Sequence, residues 1–451
     1  MLSALVTCDR EQLFARSLTG LLQHLPRTCR QVYVCDDSRD SVTVQRKTAD
    51  VQRIAADFDH QVCFWGRDWR RGFARQLSEY SGVEQETVAF ALFGDDHLHM
   101  YAPGANRNAL LLKSAGSVVL GFDDDCVFEW RQLNTNGSQR ILHGAVADRQ
   151  TYERMSDMCA CEPLREMAAM VTGQGSHGSA GTVRAVMTGI YGGRWYSRPF
   201  GQFFIQGALR DTCYADKTSY RAAARYPFGF LQAPCSFISQ DPLFVATAVA
   251  MNAEEILPPF IPNVRSSDAV WAMMLRSSCA DSRIGHVPFS IGHEFSGRVP
   301  FEARDYRSVL PDVGLNMMLI TADQLRTRQF ANASHGLSAA GMLLQRVAAA
   351  GDAEFSQYLH ELWYQHVAVT VSQLQRLLVQ YDYEPSFWAK DCRIFIRDLQ
   401  KSLHMHNRHY IEFPYRRLLQ QTADMLIAWP AIWQAAAELN GADCIGTHRQ
   451  Y

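Results

Sequence analysis

The 451-residue sequence is short of several features that would place a chain at once. No CxxC pair occurs among its 12 cysteines. The nearest spacing, Cys159 and Cys161, is only a CxC, a poor match to metal or redox sites. Thiols scattered in this way predict a reduced, cytoplasmic protein rather than a disulfide scaffold. Long hydrophobic runs are also missing. The longest in the middle of the chain, residues 243–251, is about half of what a membrane span needs. The opening MLSALVTCDREQLF has no basic leader before an apolar run, so it is not expected to be a signal peptide. Neither sign of charge dominates: 44 Lys and Arg stand against 46 Asp and Glu. A net charge of −2 gives no global pull toward nucleic acid or an anionic membrane. There is no tandem repeat. With 47% hydrophobic and 20% charged residues, the composition is that of a soluble globular protein of two or three domains.

What is present begins with alternating strand and helix signals. SALVTC is a short apolar strand. EQLFARSLTGLLQHL follows at helical spacing, with Leu13, Phe14, Leu18, Leu21, Leu22 and Leu25 on one face, and Pro26 stops it. QVYVCDD reads as a strand ending in Asp36 and Asp37. Residues 42–57 read as a helix, and QVCFWG as a third strand. An Arg- and Gln-rich helix comes next, and then VAFALFGDD as a short fourth strand. GANRNALLLKSAG is expected to be a helix opening at Gly104 and closing at Gly116, followed by the strand SVVLGF. Such alternation predicts a parallel sheet with helices on both faces. Ligands of such sheets bind outside the carboxyl ends of the strands, which places Thr7, Asp36, Asp37 and the run Asp123, Asp124, Asp125 along one edge.

Farther on, residues 131–240 are harder to read, and TGQGSHGSAGTVRAVMTGIYGGRW is expected to contain loop. A Pro-rich entry leads to a helix capped by Ser266 or Ser267, and RIGHVPFSIGHEF reads as a strand. After about residue 320 strand signals vanish. Leu359, Trp363, Val367, Val371, Leu374, Leu378 and Tyr381 form a helical stripe. Further helices are expected at 387–404 and 414–440, the last broken or kinked at Pro430.

Three adjacent carboxylates repel one another unless cations neutralise them. A hard divalent ion such as Mn²⁺ or Mg²⁺ prefers oxygen ligands and shares one or two carboxylates with the oxygens of a diphosphate. A solvated acidic turn is the plain alternative. The order of TCDR at the first strand, VCDDS at the second, the helix GANRNALL and the strand end FDDDC resembles nucleotide-sugar glycosyltransferases of the A-type fold, most like their large family 2 group. The resemblance covers roughly residues 3–130 and continues weakly to about 300.

That resemblance implies an α/β fold: a Rossmann-like, mostly parallel sheet with helices on both faces, plus a mainly helical C-terminal region. It divides the chain into a transferase domain at 1–315 and a helical domain at 316–451. Within the first, residues 1–130 would form the nucleotide-sugar half and 131–315 the acceptor and catalytic half. The implied activity is that of a metal-dependent glycosyltransferase of the hexosyltransferase type. It would move one sugar from a nucleotide-diphospho-sugar, a UDP-sugar first, to an acceptor hydroxyl with inversion. FDDDC corresponds to the family's Asp-x-Asp motif. Asp123 and Asp125 would flank the Mn²⁺ or Mg²⁺, and Asp124 would touch the donor's ribose or sugar. Asp36 or Asp37 would contact the nucleoside, or simply cap the following turn. Arg107 would approach the diphosphate near a helix N-terminus, or form an ordinary surface ion pair. Thr7 and Arg10 would line the nucleotide site. Asp268, in SSDAVWAMML, is the candidate base, although an Asp in a first helical turn also stabilises a helix unaided. His293, in SIGHEF, would complete the metal shell, with His286 a poorer candidate.

Other motifs carry less. WGRDWRRGFAR is read as a surface helix before a grip on phosphate or nucleic acid. In HMHNRHY the three histidines share no helical face, which argues against zinc. YGGRW lacks the Gln of a processive synthase motif and precedes Asp268, so transfer of single sugars is expected. The acceptor is not specified: glycan, peptide and small molecule all fit. Two alternatives are a nucleotidyltransferase acting on a sugar phosphate and a non-catalytic binding module. The first is disfavoured by the missing Gly-rich triphosphate loop.

Overall fold

The computed structural model describes residues 1–26, 29, 31–98, 102–132, 142–145, 156–157, 161–173, 181–192, 203–204, 210–211, 214–225, 229–233, 235–241, 243–264, 267–294, 313–325, 327–330, 332–409 and 415–445. Cys159, Ser266 and the Gly193, Arg194 and Trp195 of YGGRW lie outside them, as do the side chains of His406 and His409.

The first half alternates as expected. Strands β1 (Leu2–Thr7), β2 (Gln31–Asp36), β3 (Gln61–Trp65) and β4 (Val118–Asp123) are joined through helices α1 (Glu11–His24), α2 (Ser41–Ala55), α3 (Arg67–Ser81), α4 (Gln85–Phe93) and α5 (Pro103–Lys113). These four strands are mutually parallel in the order β3-β2-β1-β4. β4 is buried along almost its whole length, which is why it reads as an unbroken apolar run.

Beyond β4 the sheet is mixed. β5 (Cys126–Gln132), β7 (Ser156–Asp157), β8 (Thr182–Gly192), β11 (Ala248–Asn252) and β12 (Ser282–His293) extend it in the order β4-β11-β8-β12-β5-β7. β11 runs antiparallel to both β4 and β8, whereas β12 is parallel to β8. Short strands β6 (Leu142–Ala145), β9 (Gly229–Gln232) and β10 (Phe237–Ser239) pair at its margins. The expected α/β architecture with a helical C-terminal region is therefore present, and it is consistent with the A-type glycosyltransferase fold. Parallel pairing covers β1 to β4 and the β8–β12 pair, while β11, β5 and β7 pair antiparallel.

Three local expectations are corrected. Residues of VAFALF form helix α4, not a strand. This run is buried on several sides, and periodicity cannot separate a buried helix from a buried strand of that length. Within the stretch expected to contain loop, TVRAVMTGIYG is β8, buried from Val183 to Gly192 in mid-sheet, while residues 174–180 lie outside the described residues. The last helix, which we number α13 (Tyr415–Ile445), continues through Pro430, so of the expected kink or break the break is absent. Trp429 is fully buried beside it and donates to Leu257 O at 2.7 Å, tertiary packing that outweighs the roughly 3 kcal/mol cost of an interior proline.

The remaining helices are α6 (Cys161–Val171), α7 (Lys217–Arg225), α8 (Ser267–Ser278), α9 (Val313–Leu325), α10 (Ala333–Ala348), α11 (Asp352–Gln380) and α12 (Ser386–His409). Apolar residues of α10 and α13 join the same core as the sheet. Trp363, Leu374, Trp388 and Phe395 of α11 and α12 instead close a second cluster with Phe203, Tyr214 and Tyr220. No helix among the described residues is long and apolar enough to cross a membrane.

The N-terminus of α5 is clamped. Gly104 N donates to Pro262 O at 3.2 Å, and the Asn108 amide brackets Phe260, giving 2.8 Å to its O and accepting 2.7 Å from its N. A Cβ at Gly104 would stand 2.2 Å from Ile261 O. Gly104→Ala is accordingly expected to lower stability by about 1–3 kcal/mol through overpacking, read as a lower urea midpoint with unchanged m-value.

Candidate functional site

The acidic triplet occupies a sharp corner. Asp123 ends β4, Asp124 and Asp125 make the turn, and Cys126 starts β5. β4 pairs with β1 and β11, whereas β5 crosses to a more distant place in the same sheet, between β12 and β7. Three carboxylates are thereby fanned at the carboxyl edge of the parallel strands. They open on a cleft that is also lined by Thr7, Cys8, Arg10, Asp37, Asn106 and Arg107. Ala102 and Pro103, at the start of α5, border it too, so the positive end of that helix faces the same space.

Each carboxylate has a different environment. Arg107 Nη2 reaches both oxygens of Asp123, at 2.7 and 2.8 Å. Burial, reinforced by the like charges of Asp125 and Asp124, pushes Asp123 up to about 7 despite Arg107. Asp124 turns inward. Its Oδ2 accepts from Thr7 Oγ1 at 2.8 Å and from Cys8 N at 3.3 Å, and its Oδ1 from Arg10 Nη1 at 3.2 Å. Burial, then Asp125, raises it to about 6. Asp125 Oδ2 accepts from Arg10 and faces His293 Nε2 at 3.4 Å. Burial alone would raise Asp125, but the charge and hydrogen bond of His293, with Arg10, hold it well below the carboxylate range. His293 is raised in turn, since Asp125 outweighs the effect of its burial.

His293 arrives by strand pairing. In the β12–β5 register it lies opposite Cys126, after an irregularity between Ile291 and Gly292 that re-aims the end of the strand. A Cβ on Gly292 would meet Val127 Cβ at 2.9 Å, so only glycine permits this approach. Glu294 N then donates to Asp125 O at 2.8 Å.

The donor set fits a hard cation shared with a substrate, not a closed protein cage. Among the described residues, no three of His, Cys, Asp and Glu gather as a metal-holding group. Asp125 Oδ1 and His293 Nδ1 are buried and make no hydrogen bond among the described residues. The open oxygen of Asp125, completed by diphosphate and water oxygens, would suit a hard divalent ion. The triplet is also partly neutralised from within by Arg10 and Arg107.

The other candidates divide. Asp37 lines the cleft and takes Arg67 Nη1 at 2.8 Å and Arg70 Nη1 at 3.1 Å. Burial raises it, against the pull of both arginines. Asp36 does not line the cleft. It is completely buried and its Oδ1 pairs with Lys47 Nζ at 2.9 Å. Asp268 lies in the first turn of α8, where its Oδ1 accepts from Ala269 N at 3.0 Å. It does not line the cleft, but it is close enough to Arg107 for each charge to shift the other. Burial raises Asp268, with Arg107 opposing. Arg107 thus pairs with Asp123 and lies within electrostatic reach of the candidate base Asp268.

Sequence reading missed Lys47, Arg70 and Asn106. The WGRDWRRGFAR helix does not present a simple basic surface, because Arg70 is buried and bonds Leu92 O, Asp36 O and Asn106 Oδ1 at 2.9, 2.7 and 3.0 Å. Asn106 Nδ2 in turn donates to Thr7 O at 3.1 Å and Cys35 O at 2.8 Å, tying β1 and β2 together below the cleft.

His286 belongs to the core. It is buried and stacked on Phe237 with ring centroids 4.7 Å apart. Burial lowers it from 6.5 to about 4, against Asp241. The unfolded imidazole takes its proton below 6.5 and the folded one only near 4, so stability is lost as pH falls through that window. His286→Phe is expected to remove this loss. Relative to wild type, its unfolding free energy should rise by up to about 3 kcal/mol between pH 6.5 and 4, measured by urea titration.

No protein-family model matches the sequence, and no curated protein does. Among solved structures the chain is similar to residues 1–349 of S. aureus TarS, at 13% identity and a TM-score of 0.36, over 89% of this chain and 91% of that one.

Proposed function

We propose that this protein is a metal-dependent glycosyltransferase that moves one sugar from a nucleotide-diphospho-sugar, a UDP-sugar first, to an acceptor hydroxyl with inversion. One observation carries the reading. The three carboxylates of the β4–β5 corner open on the same cleft as Arg107 and the N-terminus of α5, while Asp125 and His293 keep buried donor atoms unbonded among the described residues. Acidic and cationic groups facing one space suit a diphosphate that arrives with a divalent ion.

In this reading Thr7, Arg10 and Asp37 border the nucleoside. Asp124, fixed from behind, faces the ribose or sugar. Arg107 and the helix N-terminus bind diphosphate oxygens. Asp125, with His293 beside it, would hold Mn²⁺ or Mg²⁺, which when bound supplies Lewis-acid neutralisation of the departing nucleoside diphosphate. Asp268 would take the acceptor proton, and burial raises its affinity for protons in the direction a base requires. The acceptor is a hydroxyl-bearing glycan, peptide or small molecule.

Calorimetric titration with a nucleotide-sugar panel, with and without Mn²⁺, tests the reading. Metal-dependent binding of one diphospho-sugar, with slow hydrolysis, is expected. Preference for a nucleoside triphosphate would assign a nucleotidyltransferase instead, and no nucleotide binding at all would leave a binding module.

A further inference from the structure

We propose that Lys47 is a positioning residue: it fixes the direction of the Thr7 hydroxyl and so holds Asp124 aimed at the nucleotide cleft, an inference that rests on the reading of that cleft given above. Lys47 sits on α2 and is completely buried. An ammonium has three N–H donors and no acceptor. All three find partners: Thr7 Oγ1 at 2.8 Å, Asp36 Oδ1 at 2.9 Å and Ser38 Oγ at 3.1 Å.

Direction follows from proton counting. A threonine hydroxyl carries one proton and accepts elsewhere. Lys47 cannot accept, so the Thr7 proton cannot point at it. The other partner is Asp124 Oδ2, 2.8 Å away, and the proton goes there. Ser38 obeys the same rule: it accepts from Lys47 and from Asp9 N at 3.0 Å, and donates to Asp36 Oδ1 at 2.8 Å. Charge balance for Asp36 would require neither bridge. The path through Thr7 is what ties a buried cation to the middle carboxylate of the triplet. Remove Lys47, and Thr7 Oγ1 loses the donor that holds the hydroxyl from behind, so its aim at Asp124 loosens while the Cys8 N–H at 3.3 Å stays.

Lys47→Met alone would strand the buried Asp36 carboxylate and risk unfolding. The test is therefore a cycle of wild type, Thr7→Val, the charge-neutral double variant K47M/D36N, and all three changes together. UDP with Mn²⁺ is the calorimetric probe, and a urea midpoint is measured for each protein. Thr7→Val is expected to weaken UDP about tenfold, the scale of one hydrogen bond to a charged group. K47M/D36N should weaken it by the same factor, and the triple variant by no more, because both act through one hydroxyl. Thr7→Ser, which keeps the hydroxyl, should restore wild-type affinity. Where K47M/D36N does not fold, K47Q/D36N makes the same comparison, since a glutamine can accept the Thr7 proton and release its direction. Losses that multiply to about a hundredfold, or a double variant that binds UDP as wild type does while only its urea midpoint falls, would overturn the inference. Wild type that binds no nucleoside diphosphate would overturn the cleft reading, and this inference with it. Failure of the relay alone leaves wild-type binding intact, so the two failures are distinct.

Discussion

Asp125→Asn is expected to reduce sugar transfer by about a thousandfold or more, the scale of several kcal/mol of lost charge stabilisation at a metal site. The substitution keeps shape and removes one charge at a buried corner. Asp125 is the carboxylate held most firmly ionised, because His293 and Arg10 both favour its anion over the effect of burial. Asp123 and Asp124 are pushed the other way. Asp125 is therefore the member of the triplet whose surroundings most favour the anion. With an amide there, His293 would be the one remaining protein donor of the proposed pair. Two measurements separate the roles. Binding of Mn²⁺ followed by electron paramagnetic resonance, in the presence of UDP, should weaken by at least about a hundredfold, since even outer partners of metal ligands are worth ten- to a hundredfold. Steady-state transfer should fall in parallel. Transfer within tenfold of wild type, with Mn²⁺ bound normally, would mean that the cation does not rest on Asp125.

The parts of this site written in local sequence are those at strand ends. Apolar runs closing in Thr7, in Asp36 and Asp37, and in the triplet marked one edge of a parallel sheet, and the cleft does form there. What could not be read was direction. Asp36 and Asp37 are neighbours in a strand end, so their side chains take opposite sides: Asp37 meets the cleft, and Asp36 meets Lys47 in the interior. The partners that neutralise the triplet, Arg10 and Arg107, come from 114 and 16 residues away, and no local pattern announces such pairs. A signal for the buried cations did exist. Lys47 shares a helical stripe with buried Val51 and Ile54, and Arg70 one with Phe73, Ala74 and Leu77. A charged residue inside an apolar stripe must find a buried partner. The antiparallel insertion of β11 and the burial of β8 were hidden for another reason: both depend on strands far apart in sequence, and glycines around β8 imitate a loop.

Asp268→Asn should separate chemistry from binding. Asp268 is absent from the lining of the diphosphate cleft, and it touches the site through the charge of Arg107. Donor affinity should therefore stay within about threefold of wild type, the change that a modest shift in the field at Arg107 produces. The rate of transfer should fall about 10²- to 10⁴-fold, the usual worth of a positioned base, with KM for the donor nearly unchanged. The pH profile gives an independent reading. Burial raises Asp268 above the ordinary carboxylate value of 3.8, so as a base it is active only above that raised value. Wild-type kcat should climb with pH along an acidic limb and then level, and the residual activity of Asp268→Asn should lack that limb. The stereochemistry of the product closes the test. In-line displacement assisted by a base inverts the anomeric carbon, so an inverted product together with a lost limb fixes Asp268 in the proton-accepting role. A retained anomeric configuration, with Asp268→Asn keeping more than about a tenth of wild-type kcat, would instead leave this carboxylate as the stabiliser of the first turn of α8 and of Arg107.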